Sequence, residues 1–265
     1  KQIYRLVQDF PMGTHISKSA TVPFPTKNSL MTDFPEITNA AIIFRPSSWG
    51  QTPILKLNDQ EYFEDNFIFA EHSFLEIYEF KFIKGDPDKA LKGPNELLLT
   101  ATSAKKYFGD EDPIGKRINL SNFRDLEVIG VIEDLPGNTH LEFDMIASFE
   151  TFKTFFNDQT FFETQWTWVA AWMYFTVDDG QAADKISEGL QTLRESFNKN
   201  SVSVLFLIFD LILKYFCVKS VFFNQNPIFN KALLEFLDDF YDNLQNYRSE
   251  EENILNDTES YSLIY

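Results

Sequence analysis

The sequence is poor in the residues that most often announce chemistry. It has one cysteine, Cys217, and three histidines, His15, His72 and His140. A single thiol excludes an internal disulfide and a thiolate-rich metal site, and it leaves the redox compartment open. None of the histidines sits in a zinc-helix motif or beside a nucleophile elbow, so enzymatic readings start weak. Basic clusters are missing as well: 23 Lys and Arg stand against 40 Asp and Glu, a formal charge of −17. Such a field repels phosphate backbones and excludes nucleic acid as an expected partner. No Walker motif or ABC signature is present, and the chain opens on Lys1 without an initiator Met, a basic leader or an apolar core of a signal, so no targeting segment is expected within it.

Glycine is absent from a whole region. All ten lie between Gly13 and Gly189, and after Asn200 there is none, with Pro227 as the one proline. The chain therefore divides near Asn200 into a domain, 1–200, and a tail, 201–265. At 44% apolar residues the chain can bury a sizeable core. Residues 2–8, "QIYRLVQ", read as a strand buried on both faces. A helix is predicted over 26–34, with Thr26 as its cap and Pro35 as its stop, followed by a strand over 37–44. Residues 54–57 and 61–69 flank the polar turn Asn58-Asp-Gln60 and predict a hairpin. A further strand is predicted over 168–177, and a helix over 183–197 carries Ile186, Leu190, Leu193 and Phe197 on one stripe. Hairpins mixed with helices, without regular crossovers, indicate an α+β fold.

The stretch "AKKYFGDEDPIGKRINL", 104–120, is a joint: a helix over 101–108 capped by Thr100, then Gly109, a turn over 110–115 and a strand over 116–120, with 126–132 as its partner strand. A phosphate cradle needs its glycines before a helix, where free amides face the anion. Here the glycines follow the helix among Asp110, Glu111 and Asp112, so the corner is expected to be structural.

Several motifs in this order resemble one family. The run "FIKGDPDKAL" (82–91), then "LLLTATSAKKYFGDEDPIGKRINL", then "LEVIGVIEDLPGNTHLEFDMIAS" is similar to the extracytoplasmic core domain of MacB/FtsX-type ABC transporter permeases, in particular a Bacteroidetes-like branch. The resemblance covers about 1–197. It implies a fold of two small mixed α/β lobes of the MacB-like periplasmic core type. It also implies a permease subunit in the inner membrane, with this domain on the periplasmic side. The implied partners are a separate ABC ATPase subunit, a second permease copy, and a periplasmic adaptor or exported substrate. Neither a metal nor a cofactor is implied.

The tail does not continue the resemblance. Its opening 23 residues, "SVSVLFLIFDLILKYFCVKSVFF", approach the length of a membrane span, but Asp210, Lys214 and Lys219 interrupt them at roughly 2.5–3.5 kcal/mol for a charge near the centre. A helix packed on the domain or a foreign tail is the preferred reading, and a degenerate span the alternative. Phe229, Leu233, Leu234, Phe236, Leu237, Phe240 and Leu244 recur with helical spacing, so the tail is predicted to be helical with an acidic, frayed end.

Two constellations merit attention as sites. Trp166, Trp168, Trp172 and Tyr174 would line one strand face if the strand began early, a surface able to stack a sugar ring or grip an apolar peptide; core packing is the competing role. His140, Glu142 and Asp144 alternate and would share one strand face near a divalent ion, although ligands two apart on a strand seldom converge unaided. The function expected is mechanical and recognitional, without catalysis: a domain that relays ATP-driven movement of a permease for export or efflux. A stand-alone periplasmic peptide- or glycan-binding module is the alternative, and a metal-dependent hydrolase around His140 a third reading.

Overall fold

The structure, a computed structural model, describes residues 2–12, 15–58, 60–158, 160–166, 168–178, 185–186, 189–190 and 261–264. Fourteen strands among these join in one mixed sheet, flanked by short helices. The main path runs β14 (Tyr261–Ile264), β1 (Gln2–Met12), β13 (Val169–Val177), β4 (Ile37–Phe44), β7 (Phe67–Ala70), β12 (Met145–Ser148), β9 (Glu96–Thr100), β11 (Arg124–Ile132), β10 (Arg117–Leu120), β5 (Ile54–Leu57) and β6 (Gln60–Phe63). Three strands branch from it: β2 (His15–Ser19) on β1, β3 (Thr21–Pro23) on β13, and β8 (Phe82–Gly85) on β11. β12 runs parallel to β7, and β11 parallel to β9, while the other registered pairs are antiparallel.

The mixed α/β class is the one the sequence indicates. The two expected lobes are the two halves of one hydrogen-bonded ladder, and 1–187 forms a single compact unit. Central strands are apolar at successive positions because both faces are covered. On β4 and β7, Ala41, Ile43, Ile68 and Ala70 enter one core with Phe74, Leu75 and Ile77 of α2 (His72–Tyr78) and with Tyr174 of β13. The alternate residues Phe44 and Phe69 enter an aromatic cluster with Phe24, Phe149, Phe152 and Trp168, whose neighbouring rings lie 4.4–6.4 Å apart.

Three local expectations need correction. The helix α1 spans Thr26–Asp33, but Pro25 occupies its cap position and Thr26 lies inside, so no side chain caps it. The predicted hairpin is present as β5 and β6, turning through Asn58 at φ +50°, but the run 61–69 is two strands. Glu64, Asp65 and Asn66 break it, and Phe67 begins β7 in the middle of the sheet. The strand expected from Trp168 begins at Val169. Ile186 and Leu190 of the predicted stripe are buried, while of the 183–197 helix all but 185–186 and 189–190 lies outside the described residues. So does the predicted helical tail, 201–265, except for Tyr261–Ile264, which form a strand rather than a helix. Among the described residues no helix is long and apolar enough to cross a membrane.

Candidate functional site

The corner predicted from 100–120 is built from interlocking local bonds. Thr100 accepts the Ser103 amide on its hydroxyl at 3.2 Å and starts α3 (Ala101–Phe108). Gly109, at φ +60°, donates its amide to the Lys105 carbonyl at 2.9 Å. The turn then spends its own amides: Glu111 on the Phe108 carbonyl at 3.1 Å, Ile114 on the Asp112 carboxylate at 3.2 Å, and Lys116 on the Pro113 carbonyl at 3.1 Å. Gly115, at φ +78°, donates to the Val128 carbonyl, and Val128 donates back to Lys116, each at 2.8 Å. These donors already have partners, which supports the structural reading of the corner over an anion nest.

Its aromatic pair ties the corner to its surroundings. Tyr107 donates its hydroxyl to Glu64, a carboxylate only 4% exposed, and Lys106 Nζ lies 2.5 Å from the same oxygen. Burial, then the bond to Glu64, pushes the Tyr107 hydroxyl pKa up. Phe108 offers its ring face to the Lys116 ammonium at 5.0 Å, and Lys116 also pairs with Glu111. Lys84, 3.0 Å from Asp112, holds that carboxyl below its usual range. Lys116 does the same to Glu111.

The four aromatic residues do not share one face. Between Val169 and Ala171 the register of β13 against β3 shifts, and such a bulge inverts the alternation of side chains. Trp168 accordingly packs in the Phe24–Phe44–Phe152 cluster, with Trp49 6.1 Å away. Trp172 and Tyr174 belong to the opposite core, where the Arg45 guanidinium lies 5.1 Å from the Trp172 ring and Tyr174 is buried against Phe74 and Tyr78. Trp166 precedes the strand and is half-buried. Only Trp172 and Tyr174 stand together.

His140, Glu142 and Asp144 are likewise divided. The segment before β12 is not a strand, so its side chains do not alternate on one face. His140 Nε2 sits 3.1 Å from the Tyr174 hydroxyl, and partial burial and the Arg5 charge lower its pKa. The Glu142 carbonyl accepts from Arg45, and Asp144 accepts the Asn66 amide on its carboxylate at 3.2 Å. Among the described residues no three His, Cys, Asp or Glu side chains gather as a ligand set. Sequence reasoning also passed over a groove at the start of β9, where Glu96 meets Glu127 of β11. Its residues come from three strands brought together by pairing, and the spacing of any one strand carries only an ordinary polar alternation.

The arrangement thus offers a continuous sheet, a stitched corner and polar surface. The sequence model of a family described as "MacB-like periplasmic core domain" matches residues 7–193. A solved domain of a permease protein from Porphyromonas gingivalis is similar at 21% identity, covering 73% of this chain and 83% of its own, with a TM-score of 0.58. The extracellular domain of the noncanonic ABC-type transporter YknZ from Gram-positive bacteria aligns at 13% identity over 72% of this chain and 95% of its own, with a TM-score of 0.48. The periplasmic region of MacB from Actinobacillus actinomycetemcomitans aligns at 16% identity over 62% and 89%, with a TM-score of 0.40. Among curated proteins, none matches.

Proposed function

The chain belongs to the MacB-like periplasmic core domain family, and from that membership we propose that it is the extracytoplasmic domain of an ABC transporter permease subunit, relaying ATP-driven movement for export. The observation that supports this reading is the pairing of the first strand with the last long one. Gln2 of β1 is the register partner of Val177 of β13, so the first strand and the last long strand meet flush, about 5 Å apart. A domain held between two membrane spans needs such a root. Force applied there enters a sheet whose ladder continues through β13 and β4 to β10, β5 and β6. The Thr100–Leu120 corner keeps that far end stiff, so displacement at the root is carried by a body rather than absorbed by a loop.

In this reading the ATPase is a separate subunit, the permease works as a dimer in the inner membrane, and an adaptor or exported substrate meets the domain on the periplasmic side. No catalytic step is assigned to His140 or to any other residue. The stand-alone binding module rested on one four-residue aromatic face, which the β13 bulge divides. Purification of the full-length protein tests the proposal. We expect it to be extracted only from membranes, together with an ABC ATPase subunit in stoichiometric amount. Recovery of a soluble periplasmic protein processed by signal-peptide cleavage would contradict it.

A further inference from the structure

The two ends of the sheet meet their surroundings differently. At one end β6 is four residues long and largely exposed, and its Glu61 pairs with Lys56 of β5. A short, charged edge of this kind resists pairing with another chain. Toward the other end, β1 runs for 11 residues. Its stretch 2–7, "QIYRLV", has no proline and a single charge, Arg5. Arg5 does not guard the edge, because it is the register partner of Tyr174 and hydrogen-bonds to that hydroxyl. Tyr4, Leu6 and Val7 are buried. A long apolar strand of this make, paired with β13 along one edge, is a template for a further strand along the other.

What lies there is on the same chain. In the order of the sheet β1 stands between β13 and β14, so its outer neighbour is Tyr261–Ile264. Residues 262–264 fall in the same compact unit as 1–187, across a long interval of sequence. The sequence "YSLI" suits the place, since Tyr and Ile favour extended backbone and neither charge nor proline interrupts it. The preceding "NDTES" carries Asn256, Asp257 and Glu259, residue types that strands avoid, which confines the pairing to a short segment. Four residues make few ladder bonds, so this contact opens at lower cost than the central strands and can exchange while the rest of the sheet stays folded.

We propose that the outer edge of β1 is a strand-binding site, that residues 261–264 of the same chain occupy it, and that this occupancy keeps β1 from pairing with the β1 of a second copy. Its ligand is an extended, uncharged, largely apolar peptide segment held by main-chain hydrogen bonds. The proposal goes beyond the permease reading and does not rest on it, since it is measured on this chain alone. The test replaces two neighbouring residues of β14 together, Ser262→Pro and Leu263→Pro, in the 265-residue chain. Successive amides of a strand point to opposite edges, so one of the two prolines removes a ladder donor whichever way β14 faces. Hydrogen exchange of alternate amides within 3–7 should quicken roughly tenfold or more as their partners are lost, while exchange in β9 and β12 stays as in the parent. Sedimentation should show an association of the variant that rises with concentration and is absent from the parent. A peptide of residues 257–264, "DTESYSLI", added to the variant should restore slow exchange in β1 and reverse the association, and the same peptide carrying the two prolines should do neither. Unchanged exchange in β1, exchange quickened equally in β9 and β12, a variant that associates no more than the parent, or a peptide without effect would each overturn the proposal.

Discussion

Gly85 and Gly130 are register partners across β8 and β11, and they explain two motifs of the sequence with one contact. A Cβ on Gly85 would lie 2.5 Å from the Ile129 carbonyl oxygen, and Gly85 has φ +93°. A Cβ on Gly130 would lie 2.7 Å from Leu98 Cδ2 and 3.2 Å from the Lys84 carbonyl oxygen. The glycine of "KGD" and that of "VIGV" therefore let one strand lie against the other. Gly85→Ala should cost about 2 kcal/mol or more, read by urea denaturation, since neither the backbone contact nor the torsion can relax cheaply. Tyr107→Phe should cost ~1–3 kcal/mol by leaving the buried Glu64 short of a donor. The sequence identified Gly109 and Gly115 as a corner because a helix end and a turn are local. It was silent on Glu64 with Tyr107, and on Gly85 with Gly130, because those pairs are made by folding across tens of residues.

Helices and strands were legible where their signals were local, and misread where a tertiary contact decided. Thr100 and Thr26 both precede or open an apolar helical run, yet only Thr100 caps one. Thr100→Ala should therefore cost ~1 kcal/mol, while Thr26→Ala should stay within about 0.5 kcal/mol; thermal melts of the two variants check the contrast. The bulge in β13 had no signature in "WTWVAAWMYF", since both faces of that strand are apolar and a change of face leaves the pattern unaltered. At the corner, Asp112 and Glu111 carry depressed pKa values in the folded state, so what they contribute is present above the ordinary carboxylate range and lost as pH falls through their folded values. Lys84→Ala removes the partner of Asp112 and should lessen the loss of stability as pH falls below the ordinary carboxylate range, seen as a shallower fall of melting temperature than in the parent.

For the molecule as a whole, linked motifs identified the family. The single ladder joining both halves was not legible, because the neighbours β4–β7, β12–β9 and β10–β5 are distant in sequence. We expect a version truncated after Asn200 to stay folded, and limited proteolysis of the full chain to leave a resistant core of about 200 residues. The central claim is that this domain transmits movement from its root as one body. The most direct test inserts a flexible Gly-Ser linker immediately before Gln2 in the full-length permease, reconstituted in vesicles with its ATPase, and measures ATP hydrolysis and transport side by side. The account expects hydrolysis to persist while transport falls to a small fraction of the parent's, with the domain still folded. Transport undiminished by the linker would contradict it.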